Sequence, residues 1–409
     1  MAHEAPSSVL IRCSTLLTVP VTCLTVLACG VGERAAWCPP AAEGVTVVAN
    51  VGDGVWAAEG LESRLVELWR VGGTREGQEL GQPIAVVASP GGRVAVPDFM
   101  LGEVVVIEPD GTWLGAWTRQ GAGPGEVRAP VAAAWDGDDR LAVFDIMTPK
   151  VAYVGADGPV GEDLRVEPSF TVPVVNSGQF DWAALRADGT VYLQPAAVSM
   201  TSGASQRDDV SLVLALAPGA SVVDTVARGT WVPIGGDGPF ANWHAPGWPR
   251  LTAALGGGRV AAGGDVAEYR IVIHDAGERG PVQICRDARP LPMNDHELGR
   301  DLGPELRELA DALRDARRPD TPAAFGRLVL GTHGRLWVQR ERAGPADPAI
   351  YGPAGGEWDV FDPDGRYLGA VQSPEPAHLM AARGDTVWAL EFGDFDEAWL
   401  VAYRLETAR

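Results

Sequence analysis

The stretch "GRVAVPDFMLGEVVVIEPDGTWLGAW", Gly92 to Trp117, decides the fold of this 409-residue chain. It holds three apolar runs, "VAV", "VVVI" and "WLGAW", separated by "PDFMLGE" and "EPDG". Each run is too short for a helix and is rich in β-branched or aromatic residues, while the separators carry the Gly, Pro and Asp of tight turns. A further apolar run, "IAVVASP" from Ile84, stands just before it. Connections this short leave no room for a crossover, so the four runs must pair as antiparallel neighbours.

The unit recurs. "GRVAV" from Gly92 is matched by "DRLAV" from Asp139, "GTVYL" from Gly189, "GRVAA" from Gly258, "GRLWV" from Gly334 and "DTVWA" from Asp385. Each follows a short apolar run and leads into a third element, as "KVAYVGADG" from Lys150 and "EWDVFDPDG" from Glu357 do. "EPDGTWLGAW" and "DPDGRYLGAV" agree closely enough to be copies of one unit. With the strands named a to d from the inside out, repetition at this period predicts an all-β, six-bladed β-propeller of four-stranded antiparallel blades. The last unit stops after strand c. "RLVELWRVGG" from Arg64 has the character of a strand d and precedes the first strand a. It is expected to pair beside "AWLVAYRLE" and close the ring, which removes two open sheet edges. "RQGAGPGEVRAP", Arg119 to Pro130, then reads as the crossover from strand d of one blade to strand a of the next, where Gly permits a sharp reversal and Pro fixes φ.

Composition bounds the partners. A formal charge of −21 lacks the clustered Lys and Arg that a phosphate backbone needs, and excludes nucleic acid as a partner. It also disfavours an anionic membrane surface; an N-terminal lipid would be the one membrane contact, and the body is expected to be a monomer. Fourteen Trp are many for the length and suit packed β-structure or a binding surface.

Residues 1–28 read as a signal peptide: Arg12 precedes the apolar run "CSTLLTVPVTCLTVLACG". The ending "VLAC" resembles a bacterial lipobox, with Cys29 as the lipidated residue; ordinary secretion and an uncleaved anchor are the alternatives. All three place the body in the cell envelope or outside the cell. Residues 29–60 form a tether and leading segment, and 61–409 the propeller. Cys13 and Cys23 leave with the signal, so Cys38 and Cys285 remain, either as a disulfide or as two buried thiols.

From Leu61 onward the chain resembles the NHL-repeat propellers, in particular the six-bladed β-propeller lipoproteins of bacteria. The resemblance rests on "GRVAVPDFMLGEVVVIEPDGTWLGAW", on "GAGPGE" after it and on "GRLWVQR" with "WDVFDPDGRYLGAV". It implies the fold. It implies no single activity, since such propellers include binding scaffolds, lyases and lactonases.

The a–b and c–d turns share one propeller face and are short throughout. The b–c and d–a connections share the other and hold every long insertion, which marks it as the working face. One insertion contains "GPELRELADALRDARRP", where Leu302, Leu306, Leu309 and Leu313 at helical spacing predict a short helix. Another carries Trp231, Phe240, Trp243, His244 and Trp248; with Tyr351, Phe392 and Phe395 they could present a stacking surface to a glycan or peptide, or form the loop's own small core. Asp98, Asp145 and Glu391 follow strand b of blades one, two and six. With Gln194, Asp265 and Arg340 they are candidates for the channel mouth, where converging oxygens could hold Ca²⁺, or else they bond their own turns. No spaced His or Cys set suggests zinc, no nucleophile elbow surrounds a Ser, and no cofactor is expected. The first reading is a non-catalytic scaffold that binds a protein, peptide or glycan on the long-loop face. The alternative is a metal-assisted hydrolase or lyase at the channel mouth.

Overall fold

The computed structural model describes residues 37–166, 180–195, 210–220, 223–230, 251–264, 268–274, 280–288, 307–315, 323–340, 355–393 and 395–409. They form six antiparallel sheets, one per repeat. Blade one is Val87–Ala88, Val94–Asp98, Glu103–Ile107 and Trp113–Ala116; blade two is Pro130–Asp136, Arg140–Asp145 and Lys150–Gly155, with its outer edge split into Gly158–Pro159 and Leu164–Arg165. Blade three is Phe180–Leu185, Val191–Pro195, Val210–Leu216 and Asp224–Thr230, and blade four is Thr252–Gly256, Arg259–Gly263, Arg270–His274 and Val282–Arg286. Blade five is Arg327–Leu330, Leu336–Gln339, Gly356–Phe361 and Tyr367–Ser373; blade six is His378–Arg383, Thr386–Phe392, Ala398–Ala408 and Glu62–Gly72.

The ring closes through that last strand. Glu62–Gly72 runs antiparallel to Ala398–Ala408, with Leu65 opposite Leu405 and Val71 opposite Leu400. The register pairs ten residues of each strand, interrupted by one irregularity between Glu67 and Trp69.

Why the strands are apolar without alternation is visible in the core. Among the described residues there are six buried clusters, one in each gap between neighbouring blades. Val94 and Val96 pack toward blade six, whereas Ala95 between them packs toward blade two. A strand buried on both faces has no solvent side to mark with polar residues, so its sequence is a continuous apolar run. The Arg of the recurring "GR" adds a link on the short-turn face. Arg93 Nη1 donates to Asp138 O of blade two at 3.0 Å, and Arg335 Nη1 donates to Gly384 O of blade six at 3.1 Å.

The leading segment also belongs to the rim. Thr46–Asn50 adds a fifth strand, parallel to Val282–Arg286 of blade four. Asn50 then reaches blade five, where its Nδ2 donates to Gly365 O at 3.0 Å and its Oδ1 accepts from Tyr367 N at 2.8 Å. The short helix Gly54–Ala58 lies on Tyr367–Ser373 of the same blade. A Cβ at Gly369 would stand 2.5 Å from the Trp56 ring, so only glycine allows this approach. Cys38 and Cys285 form a disulfide that pins the start of the segment to blade four. Residues 38–72 thus run along three successive blades before the first inner strand.

In the crossover after blade one, Arg119–Gln120 pairs in parallel with Glu126–Val127. Lys150 holds its centre by donating to Gly123 O at 2.7 Å and to Asp163 at 2.6 Å. A helix is present at Arg307–Asp315, with Ala310 buried. Leu302 and Leu306 lie outside the described residues.

Candidate functional site

The innermost strands enclose a central cavity of about 640 Å³. Ala85, Ala132, Ala184, Ala254, Leu328 and Ala381 line it, one from each blade in turn. The Arg186–Asp188 pair and Thr332 stand near the short-turn end, and Thr332 Oγ1 is buried with no hydrogen-bond partner among the described residues. Gln194 stands near the other end. Its amide Nε2 donates to Ser211 Oγ at 3.1 Å and to Leu251 O at 2.7 Å, which ties blade three to blade four.

The carboxylates that end strands b are turned into the protein. Asp98 is fully buried, and its Oδ1 accepts from the N–H groups of Gln82, Met100 and Leu101 at 3.0, 3.1 and 2.9 Å. Its Oδ2 accepts from Gly81 N at 2.6 Å. Asp145 does the same one blade on, accepting from Arg128 N, Ala129 N and Met147 N at 3.0 to 3.1 Å. Each therefore clamps its own b–c turn to the crossover that enters the same blade. Glu391 has another partner set. It pairs with Arg70 at 2.8 Å, accepts from the Tyr403 hydroxyl, and so braces the closing strand against strands b and c of blade six. Burial first, and then the bond to Glu391, push the Tyr403 phenol far above its usual range.

Arg340 pairs with Glu357 at 3.3 Å and approaches Asp359 at 3.6 Å. Asp359 is buried between blades four and five, where it pairs with Arg286 and accepts from the hydroxyls of Tyr269 and Tyr367 at 2.9 and 3.1 Å. Burial raises its carboxyl above the ordinary value, against the pull of Arg286 and Arg340. Asp265 lies outside the described residues. Among those described, no three His, Cys, Asp or Glu side chains group as a metal ion requires. The carboxylates of Asp98, Asp145 and Glu391 do not fit a calcium ion, because their oxygens already face N–H donors, a phenol and a guanidinium group.

Of the aromatic set, Trp231, Phe240, Trp243, His244, Trp248 and Tyr351 lie outside the described residues. Phe392 is half-buried, with its ring edge-on to His378 at 5.7 Å. A different apolar surface stands out on the same face. Five of the eleven exposed large apolar side chains among the described residues fall in three b–c turns: Phe99, Met100 and Leu101 of blade one, Met147 of blade two and Phe395 of blade six. These three blades are consecutive around the ring. Met100, Met147 and Phe395 are 67%, 57% and 91% exposed, so the turns offer these groups to solvent instead of tucking them away. The clamps of Asp98 and Asp145 hold the backbone that presents them, and in blade six Phe395 N donates to Glu397 at 3.0 Å. A signal for this surface was available in the sequence: turns are built from polar residues, and "FML" between two strands is not.

Fold and site together define an all-β six-bladed propeller with a central cavity and an apolar set of turns on one face. The sequence matches no family model and no curated protein. Its fold is similar to that of an exported protein from Bacteroides fragilis, at 13% identity over 88% of this chain and 100% of that one, with a TM-score of 0.46. A member of the DUF4221 family from Bacteroides vulgatus is similar at 10% identity over 85% and 99% of the two chains, TM-score 0.48. A gluconolactonase from Xanthomonas campestris is similar at 11% identity over 83% and 98%, TM-score 0.35.

Proposed function

We propose that this chain is a non-catalytic, exported binding scaffold of the NHL-like kind, and that it holds a protein or peptide partner on the b–c/d–a face of blades six, one and two. The observation that carries this reading is the display of Phe99, Met100, Leu101, Met147 and Phe395 on three adjacent turns. Soluble proteins keep exposed apolar side chains scattered, and clustering on one face marks an interaction site. Phe and Met are enriched at the centres of interfaces, and Met adapts its shape to a partner. Clamped turns lose little conformational freedom on binding, which favours affinity. Export is supported by the signal-like N-terminus and by the Cys38–Cys285 disulfide, a bond that persists in oxidising compartments.

The test is selection of binders from a random peptide display library on the folded protein, followed by measurement of the selected peptides on variants. Met100→Ser with Phe395→Ser is expected to weaken binding at least tenfold. Leu114→Ser, which removes another exposed apolar side chain, from the outer strand of blade one, is expected to leave it unchanged. Equal loss from both variants, or from neither, would remove the assignment of the face.

A further inference from the structure

The charges that surround the apolar turns narrow the partner's chemistry. Glu76 and Glu79 are exposed on the connection that enters blade one, and Asp396 is exposed in the b–c turn of blade six. Glu103 and Glu397 are half-buried beside the turns of blades one and six. The cations of this region are largely engaged. Arg70 pairs with Glu67 and Glu391. Arg75 lies over the Trp399 ring at 6.0 Å and donates to Arg70 O at 2.9 Å. Arg119 pairs with Glu126 at 2.8 Å. Arg128 is exposed, and with Arg75 it sets two cations against the exposed Glu76, Glu79 and Asp396 and the half-buried Glu103 and Glu397. The rim of the apolar surface is therefore negative, on a chain whose formal charge is −21.

Building on the reading above, we infer that the partner is a basic, amphipathic peptide segment: apolar side chains seat on Met100, Met147 and Phe395, and Lys or Arg residues pair with Glu76, Glu79 and Asp396. Charge selects this occupant over the others. A second copy of the chain would bring an identical acidic rim and an identical excess of negative charge, and like charges facing across an interface disfavour association. Anionic lipid and nucleic acid are repelled for the same reason. A basic segment is attracted at a distance, which speeds its encounter, and is held by apolar burial once docked.

Three synthetic peptides test this, sharing one apolar pattern and carrying Lys, Gln or Glu at every other position. The Lys peptide is expected to bind at least tenfold tighter than the Gln peptide at low salt, and the Glu peptide weakest. High salt should shrink the gap, because screening acts on exposed charges. Reversing the rim with Glu76→Lys, Glu79→Lys and Asp396→Lys is expected to abolish the preference. Reversing three exposed acids elsewhere, Asp157→Lys, Glu162→Lys and Asp364→Lys, is expected to preserve it, which separates a rim effect from net charge.

Equal binding of the Lys and Gln peptides, still lost in Met100→Ser with Phe395→Ser, would overturn the basic partner while leaving the apolar face in place. Binding indifferent to that double variant would overturn both. Self-association of the protein in sedimentation, abolished by the same double variant, would make a second copy the occupant and also overturn the inference.

Discussion

Asp98→Asn separates the two roles open to the carboxylates at the ends of strands b. In the structure Asp98 binds four backbone N–H groups, three through Oδ1 and one through Oδ2. Asparagine can keep its oxygen at the Oδ1 position, and the three bonds there weaken by about 1 kcal/mol each, since a charged acceptor bonds more strongly than a neutral one. Its NH₂ then faces Gly81 N–H, so the fourth bond becomes two opposed donors at a cost of about 2 kcal/mol. The relief of no longer burying a carboxylate offsets part of this sum. The expected net loss is about 2–4 kcal/mol, read as a lower denaturant midpoint with an unchanged slope. Asp145→Asn should cost less, because Asp145 accepts three bonds instead of four. The same variants should loosen the turns that present Met100 and Met147 and so weaken peptide binding. Unchanged midpoints for both would refute the clamp and return the two residues to consideration as ligands for a cation.

Other outcomes follow from the same coordinates. Cys38→Ser with Cys285→Ser frees a loop of 247 residues and should cost about 2–5 kcal/mol, measured by denaturation with and without reductant. Reductant should lower the wild-type midpoint and leave the variant unaffected. Burial of His274 holds its pKa below the usual 6.5. The unfolded chain then takes up the proton first, so stability from this residue is present above pH 6.5 and falls as pH drops through the depressed folded value. His274→Gln should flatten the pH dependence of the melting temperature over that window; an unaltered profile would show that His274 does not set it. Ala134→Phe with Ala184→Phe narrows the channel from blades two and three, and peptide affinity should not change, whereas loss of binding would move the site from the turns into the channel.

Much of the architecture was legible because the propeller repeats a local rule. Each turn-strand unit carries its own Gly or Asp, and each strand is apolar throughout because a blade lies on both sides of it. Ring closure was legible for a related reason: the sixth unit lacks an outer strand, and Arg64 to Gly73 supplies one of the right character. The fifth strand at Thr46–Asn50 was not. Five residues in parallel on a rim edge carry no turn signal, and what fixes them there is remote in sequence: the Cys38 bond to Cys285, and Asn50 reaching across to Gly365 and Tyr367. The links made by Arg93 and Arg335 were hidden for the same reason, although the "GR" that supplies them recurs in plain view.

The carboxylates show where a repeat misleads. A position that recurs around a ring invites the inference that its side chains meet at the axis, and Asp98, Asp145 and Glu391 occupy such a position. Their partners decide otherwise. A carboxylate beside an entering crossover finds unsatisfied N–H groups at the distance of a hydrogen bond, and a buried N–H without a partner is costly enough to recruit it. Where the closing strand instead brings Arg70, the residue at that position is Glu391, one methylene longer, and it reaches the guanidinium while also accepting from Tyr403. The choice of acid thus tracks which group stands beside the end of strand b: backbone N–H groups of a connection in blades one and two, a guanidinium of the closing strand in blade six. The turns so fixed carry side chains that the fold does not need: Met100, Met147 and Phe395 fill no gap between blades and add nothing to any of the six interblade clusters. Apolar groups held rigidly in water, with no packing role, are explained by what they meet outside the chain.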